Sequence, residues 1–189
     1  MSMSDEVVPD TKDWTWVLRE RCPECGLDAG AVTLARAAAG LRHAAGAWSE
    51  VLSRPDVARR PAAGVWSPLE YGAHVRDALG VFHERLTLLL AGGADDVVFP
   101  DWDQDAAALA EDYAAQSPAE VAETLGLGAV ALADEIDALP ANGLRSGEAS
   151  RGTRSDGAQF TVTTLLQYLW HDVVHHLHDV GYDAGTRPE

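Results

Sequence analysis

His171, His175 and His178 stand four and three residues apart within Tyr168 to Val180, which reads Y-L-W-H-D-V-V-H-H-L-H-D-V. On a helix that advances about 100° per residue, the three share one face. With His176, four of the chain's seven histidines fall in this stretch. Imidazole is the commonest side-chain ligand of transition metals and is costly to desolvate without a partner, so the spacing points to a metal site. An i, i+4 pair supplies at most two ligands, whereas a catalytic zinc usually takes three from the protein, so a third must come from another element. The alternative is a set of solvated or hydrogen-bonded helical histidines with no metal.

Cys22-Pro23-Glu24-Cys25-Gly26 is the second stretch able to do chemistry. A C-P-x-C-G knuckle is usually half of a four-ligand zinc site, and the other cysteine pair is absent from this chain. Three readings stay open: a dithiol that can oxidise, a half-site completed by histidine or a second subunit, or a tight turn holding two small apolar residues. No βαβ pattern surrounds the motif to support redox catalysis.

The elements that position these residues read as helices. Trp14 to Leu18 alternates like a short extended arm. Asp28 is placed to cap a long helix to about Ser53 that carries His43, expected at the surface or satisfied in the core. Ser67-Pro68-Leu69-Glu70 is a capping box with proline at the first helical position. It opens a second helix whose apolar stripe is Tyr71, Val75, Ala78, Phe82 and Leu89. His74 lies at the edge of that stripe and His83 points away. A loop to Asp105 precedes a short helix, about Gln104 to Ala115. Ser117-Pro118-Ala119-Glu120 opens a third long helix to about Leu139, with Pro140 and Gly143 ending it. Leu144 to Phe160 reads as a Gly-rich loop long enough to cross the bundle or cover a site. The last helix runs from Thr161 or Val162 to Val180, closed by Gly181. Its aliphatic stripe, Val162, Leu166, Leu169, Val173, Leu177 and Val180, lies roughly opposite its histidines. Either the stripe packs in the bundle and the histidines are exposed, or the histidines line an internal cleft and the stripe packs on another helix or on a second subunit in a homodimer. Thr164 and Tyr168 beside the histidines fit the polar cleft better. The pattern is all-α, a four-helix bundle with an irregular N-terminal arm: residues 1–28 form the arm with its C-x-x-C knuckle, 29–182 the bundle and 183–189 a tail.

A chain of 189 residues removes roughly 70% of its unfolded surface from water as one domain, so a metal is expected to serve function rather than hold the fold. A formal charge of −16 repels phosphate backbones and anionic lipid, which argues against nucleic-acid and membrane partners and leaves a small-molecule substrate. There is no apolar run of membrane-spanning or signal-peptide length, so a cytoplasmic protein with reduced cysteines is expected.

The capped helix W-S-P-L-E-Y-G-A-H followed, after a long gap, by Y-L-W-H-D-V-V-H-H resembles the DinB/YfiT-like superfamily of four-helix metal-binding proteins, and with it the mycothiol-dependent maleylpyruvate isomerase-like relatives. The likeness covers roughly residues 29 to 182 and leaves the cysteine knuckle outside. It implies an up-down-down-up bundle and a metal held by one histidine of the second helix and an i, i+4 pair of the last, positions that match His74, His171 and His175. His176 and His178 are additional histidines beside that pair; His176 is expected to turn toward the aliphatic side. The implied ion is divalent, zinc or nickel, with an open position able to acidify water, bind a thiol or polarise a carbonyl. Glu70, Asp77 and Asp172 are candidates to orient the ligating imidazoles.

Three functions follow from that resemblance. The first is a metal-dependent transferase in which a low-molecular-weight thiol, of the mycothiol type, attacks an electrophile, with Arg76 or Arg85 supplying local positive charge. The second is a metal-dependent hydrolase. The third is a non-catalytic metal-binding or stress-related protein.

Overall fold

The computed structural model describes residues 12–92, 96–139 and 151–182. Five α-helices and three short strands follow one another as α1 (Leu34–Leu52), α2 (Pro68–Gly92), β1 (Val97–Phe99), α3 (Gln104–Ala110), α4 (Pro118–Ala138), β2 (Arg151–Arg154), β3 (Gln159–Thr161) and α5 (Val162–Asp179). The four long helices form the bundle. α1 lies between α4 and α5, and α2 likewise, while α1 and α2 face each other across the diagonal. Consecutive helices on opposite corners require the connector 53–67 to cross one end of the bundle. No described helix is long and apolar enough to cross a membrane.

Helix starts obey local chemistry. In the expected capping box, the Ser67 N–H donates to Glu70 Oε2 at 2.8 Å and the Glu70 N–H donates to Ser67 Oγ at 3.3 Å. Ser117 accepts from the Glu120 N–H, and Thr161 and Thr164 form a reciprocal box at the start of α5. Asp28 does not cap the first long helix: it precedes a 3-10 turn, Ala29–Ala31, and Thr33 caps α1 instead. The short helix before α4 breaks at Asp112, in the left-handed region at φ 45°, which separates α3 from a 3-10 turn at Tyr113–Ala115. The expected ends of the third long helix, Pro140 and Gly143, lie outside the described residues, as do residues 144–150 of the expected 144–160 loop, while residues 151–160 carry β2 and the start of β3.

Two expectations change. Trp14–Leu18 is a 3-10 helix whose first turn Asp13 caps, and only Val17 of it is fully buried. Five residues of alternating apolar character carry too little period to separate strand from helical turn. The all-α reading holds for the bundle, but a three-stranded sheet sits beside it, with β1 parallel to β2 and β2 antiparallel to β3. Its strands are three or four residues long and bury little beyond Phe99, Gly152, Arg154 and Phe160, so no alternating pattern announces them.

α5 is covered on two sides within one chain. Leu165, Leu166, Leu169 and Val173 fill the bundle core, and the segment from Val17 to Val32 lies over the opposite side. The buried Gln167 amide ties the two together, donating to the carbonyls of Gly30 at 3.0 Å and Val32 at 2.9 Å. On the α1 flank the Trp170 indole presses against Gly40, where an added Cβ would stand 2.4 Å from the ring.

That contact makes a paired test. At Gly46, in the same helix, a Cβ meets nothing within 4 Å, so Gly46→Ala should gain the roughly 0.5–1 kcal/mol of relieved backbone entropy and raise Tm by about 1–4 °C. Gly40→Ala carries the same propensity gain but must displace a buried indole, and Tm should fall. Equal increases in thermal melts would show that the α1–α5 contact is not tight.

Candidate metal centre

Residues 171 and 175 share one face of α5, and 172 and 176 share a face about 100° further round. The structure uses both. The first strip looks toward the N-terminal segment and the second toward α2, so the three histidines expected to share one ion are sorted into two groups: His74 with Asp172 and His176, and His171 and His175 with Cys22 and Cys25. His178, the third member of the expected face, is exposed, and so are His43 and His83, the latter paired with Glu135 at 2.8 Å.

In the first group, Asp172 bridges two imidazoles. Its Oδ2 lies 3.5 Å from His74 Nε2 and its Oδ1 lies 3.5 Å from His176 Nε2, with one donor atom from each residue inside a 4.8 Å span. His74 is 1% exposed, and neither of its ring nitrogens has a hydrogen-bond partner; Asp172 Oδ2 is also buried and unpartnered. A buried polar atom left in that condition costs about 1–3 kcal/mol. Trp102 stacks on the His74 ring at 5.3 Å and 11°, and Trp66 lies 5.4 Å away, so aromatic surface fixes the imidazole plane and excludes water. Two nitrogens and a carboxylate oxygen suit zinc or nickel, and the unsatisfied atoms fit an ion at their centre.

The remaining edge of His176 is also determined. Its Nδ1 lies 2.8 Å from Asp179 Oδ2, which turns Nε2 toward Asp172. Burial by itself disfavours the imidazolium, but the Asp172 and Asp179 carboxylates outweigh it and raise His176 to about 9. Asp172 is held well below the ordinary carboxylate range: burial opposes its charge, and His176 and His74 overcome that opposition. The group thus calls for positive charge, which a proton on His176 or a dication at the centre provides.

His176 therefore faces His74 rather than the aliphatic side, and Asp172 lies between the two imidazoles, placed either to orient them, as expected, or to donate an oxygen beside them. Glu70 and Asp77 do not orient the imidazoles. Glu70 serves the α2 cap and Arg60, while Asp77 holds Arg76 and accepts from the Tyr113 hydroxyl. The overlooked signal was present in H-D-V-V-H-H, which contains D-x-x-x-H as well as H-x-x-x-H.

In the second group, burial pushes His171 down to about 4, reinforced by the neighbouring His175, and lowers His175 as well, so both rings are neutral at pH 7. Burial also pushes the Cys25 thiol up to about 12.

A cavity of about 280 Å³ opens between the groups, with Asp172, His176, Tyr168 and Trp14 in its walls. Among the described residues, Glu24, Asp105, Asp172 and Asp179 line it against Lys12 and His176, so acidic groups predominate and it disfavours anions. A second groove adjoins it along Trp102, Leu109 and Arg154. Arg76 and Arg85, expected to supply local positive charge, line neither. Arg76 is paired with Asp77 and Gln116, and Arg85 is buried against the Phe82 and Phe99 rings, donating to the Pro100 carbonyl.

Residues 33–180 match the family model of the DinB superfamily. Among solved structures the chain is similar to YfiT from Bacillus subtilis, described as "a probable metal-dependent hydrolase with an unusual four-helix bundle topology". The TM-score is 0.59 at 17% identity, over 95% of this chain and 94% of that one, a likeness of fold. No curated protein matches.

The position of His74 depends on the α2 cap one turn earlier. Glu70, 3% exposed, accepts from Ser67 and Arg60. Burial disfavours its charge, but those donors prevail and hold its carboxyl below the ordinary value of 4.5. A depressed folded pKa stabilises above the unfolded value and is lost as pH falls through the folded one. Glu70→Gln should cost about 1–3 kcal/mol at pH 7. In urea unfolding, the gap from wild type should narrow below about pH 4.5. A gap independent of pH would assign the cost to shape instead of charge.

Proposed function

Because the chain belongs to the DinB superfamily and its cavity reaches Asp172 and His176, which stand beside the buried His74, we propose that it is a divalent-metal-dependent hydrolase acting on a small, uncharged or cationic molecule. The observation that carries this reading is His74: a fully buried imidazole with both nitrogens unpartnered, aimed at the equally unpartnered Asp172 Oδ2. His74, Asp172 and His176 are the residues that would hold the ion, zinc or nickel. When bound, it supplies Lewis acidity, able to acidify a water or thiol or to polarise a carbonyl at an open position.

The chain's own residues do the rest. Asp179 holds His176 in the tautomer that presents Nε2. Trp66 and Trp102 keep His74 dry and fix its plane. Tyr71 lies 5.0 Å from the His176 ring and, with Tyr168, gives the cavity an aromatic wall beside the metal side chains. The volume admits a compact substrate group rather than a polymer. The acidic lining selects against carboxylates and phosphates, including an anionic thiol such as glutathione, and with Arg76 and Arg85 engaged elsewhere the transferase reading loses its expected anchor. An uncharged thiol is not repelled, so thiol transfer is the reaction to assay beside hydrolysis. YfiT's description as a hydrolase supports placing hydrolysis first.

Metal analysis together with initial rates on uncharged esters and amides tests the reading. His74→Ala and Asp172→Asn should each bind one equivalent fewer than wild type and lose turnover. Asp179→Asn, which leaves the three donors intact, should weaken metal affinity or rate about 10–100-fold. Undiminished metal in both ligand variants would refute the site, and turnover only with a thiol plus an electrophile would replace hydrolysis with transfer.

A further inference from the structure

We infer that Cys22, Cys25, His171 and His175 form a second, closed zinc site that pins the N-terminal segment to α5. It shares no ligand with the His74 cluster and stands or falls independently of the hydrolase reading.

The spacing is that of a Cys2His2 site, C-x-x-C followed far along the chain by H-x-x-x-H. The fold brings the halves together: one donor atom from each of the four residues lies within 4.8 Å of all the others. Cys22 Sγ stands 3.7 Å from His175 Nδ1, against about 3.6 Å for the S···N edge of a zinc tetrahedron built from ordinary Zn–S and Zn–N bonds. Cys22 is fully buried, His171 and His175 are 3% and 6% exposed, and His171 Nε2 is buried with no hydrogen-bond partner. One ring nitrogen of His171 lies within 4.8 Å of both sulfurs, and a metal bond would satisfy a buried imidazole that lacks a hydrogen bond at Nε2.

The surroundings are built for the same purpose. The Gly26 N–H donates to the Cys22 carbonyl and the Cys22 N–H to the Leu27 carbonyl, both at 2.9 Å. Gly26 takes φ 76°, a conformation open to residues without a Cβ, and so turns the chain sharply enough to aim both thiols inward. Glu24, between the cysteines, lies 3.3 Å from His175 Nε2, and Asp179 Oδ1 lies 3.8 Å from the same atom. These acceptors fix the tautomer that leaves Nδ1 for the metal. The Trp14 indole covers the two imidazoles, at 5.7 Å from His171 and 4.9 Å from His175.

Two sulfurs and two nitrogens select zinc over magnesium or calcium, and four protein ligands beneath an indole leave no open coordination position. The site is therefore structural. Its effect reaches the neighbouring cavity, because the segment it holds contributes Trp14 and Glu24 to that cavity's walls.

Cobalt(II) substitution in the full chain, under reducing conditions, reads this site without touching the other. Thiolate-bound cobalt gives an intense near-ultraviolet charge-transfer band, and a set of two histidines and an aspartate gives none. Wild type should show the band, His74→Ala should keep it, and Cys25→Ser, at a half-buried position, should lose it. His171→Asn and His175→Asn should each weaken cobalt binding at this site at least tenfold. Should a variant fail to fold, labelling of wild type decides the matter: zinc-loaded protein should protect Cys25 from iodoacetamide and chelation should expose it. A missing band in wild type, unchanged affinity in both histidine variants, or equal labelling with and without chelator would each overturn the site.

Discussion

The structure depends on burying one helix, α5, that carries titratable groups on two of its faces. An apolar helix can lie in a bundle core without further conditions, but imidazoles and carboxylates taken out of water require partners. α5 meets that demand differently on each side. Toward α2 it finds His74, and toward the N-terminal segment it finds the cysteine knuckle. Between the two strips, Asp179 places one oxygen near His176 and the other near His175, so a single carboxylate supports both clusters.

The division separates two kinds of chemistry. The cluster on the α2 side offers nitrogen and carboxylate oxygen, borders a cavity and carries net demand for positive charge. The cluster on the other side offers two sulfurs and two neutral imidazoles, and a tryptophan lies over it. Donor sets of these kinds differ in metal preference and in whether a coordination position stays open. The cavity reaches side chains of both clusters, Asp172 and His176 of the first and His171 and His175 of the second, so donor type rather than access separates them. The acid-rich cavity wall extends to the site the anion-repelling character of the whole chain, at −16.

The chain segment outside the family match has a structural part to play. Residues 33–180 carry the bundle, and the stretch before them covers the outer side of α5, with Gln167 bonded to its backbone and Val17, Cys22 and Ala29 buried beneath it. The histidine side of α5, for which the sequence allows either exposure or an internal cleft, is thus covered within the chain.

Local signals in the sequence determined the helices. Ser-Pro-x-Glu marks the starts of α2 and α4, Gly181 closes α5, and helical periodicity picks out Val75, Ala78, Phe82 and Leu89 as the buried side of α2. Such signals are legible because caps and amphipathic stripes are interactions among residues a few positions apart. The three short strands were not legible, since pairing between distant segments creates them without any alternation of their own. The chemistry-bearing residues could likewise be named, but not grouped. H-D-V-V-H-H holds two i, i+4 pairs one residue out of phase, and nothing within the helix says which one turns toward His74. That choice is a rotation of α5 about its axis, set by packing Leu165, Leu169 and Trp170 against the other helices and by the segment bonded to Gln167. Only contacts with segments distant in the chain could decide it, from α2 to the Gly30 and Val32 carbonyls more than 130 positions away.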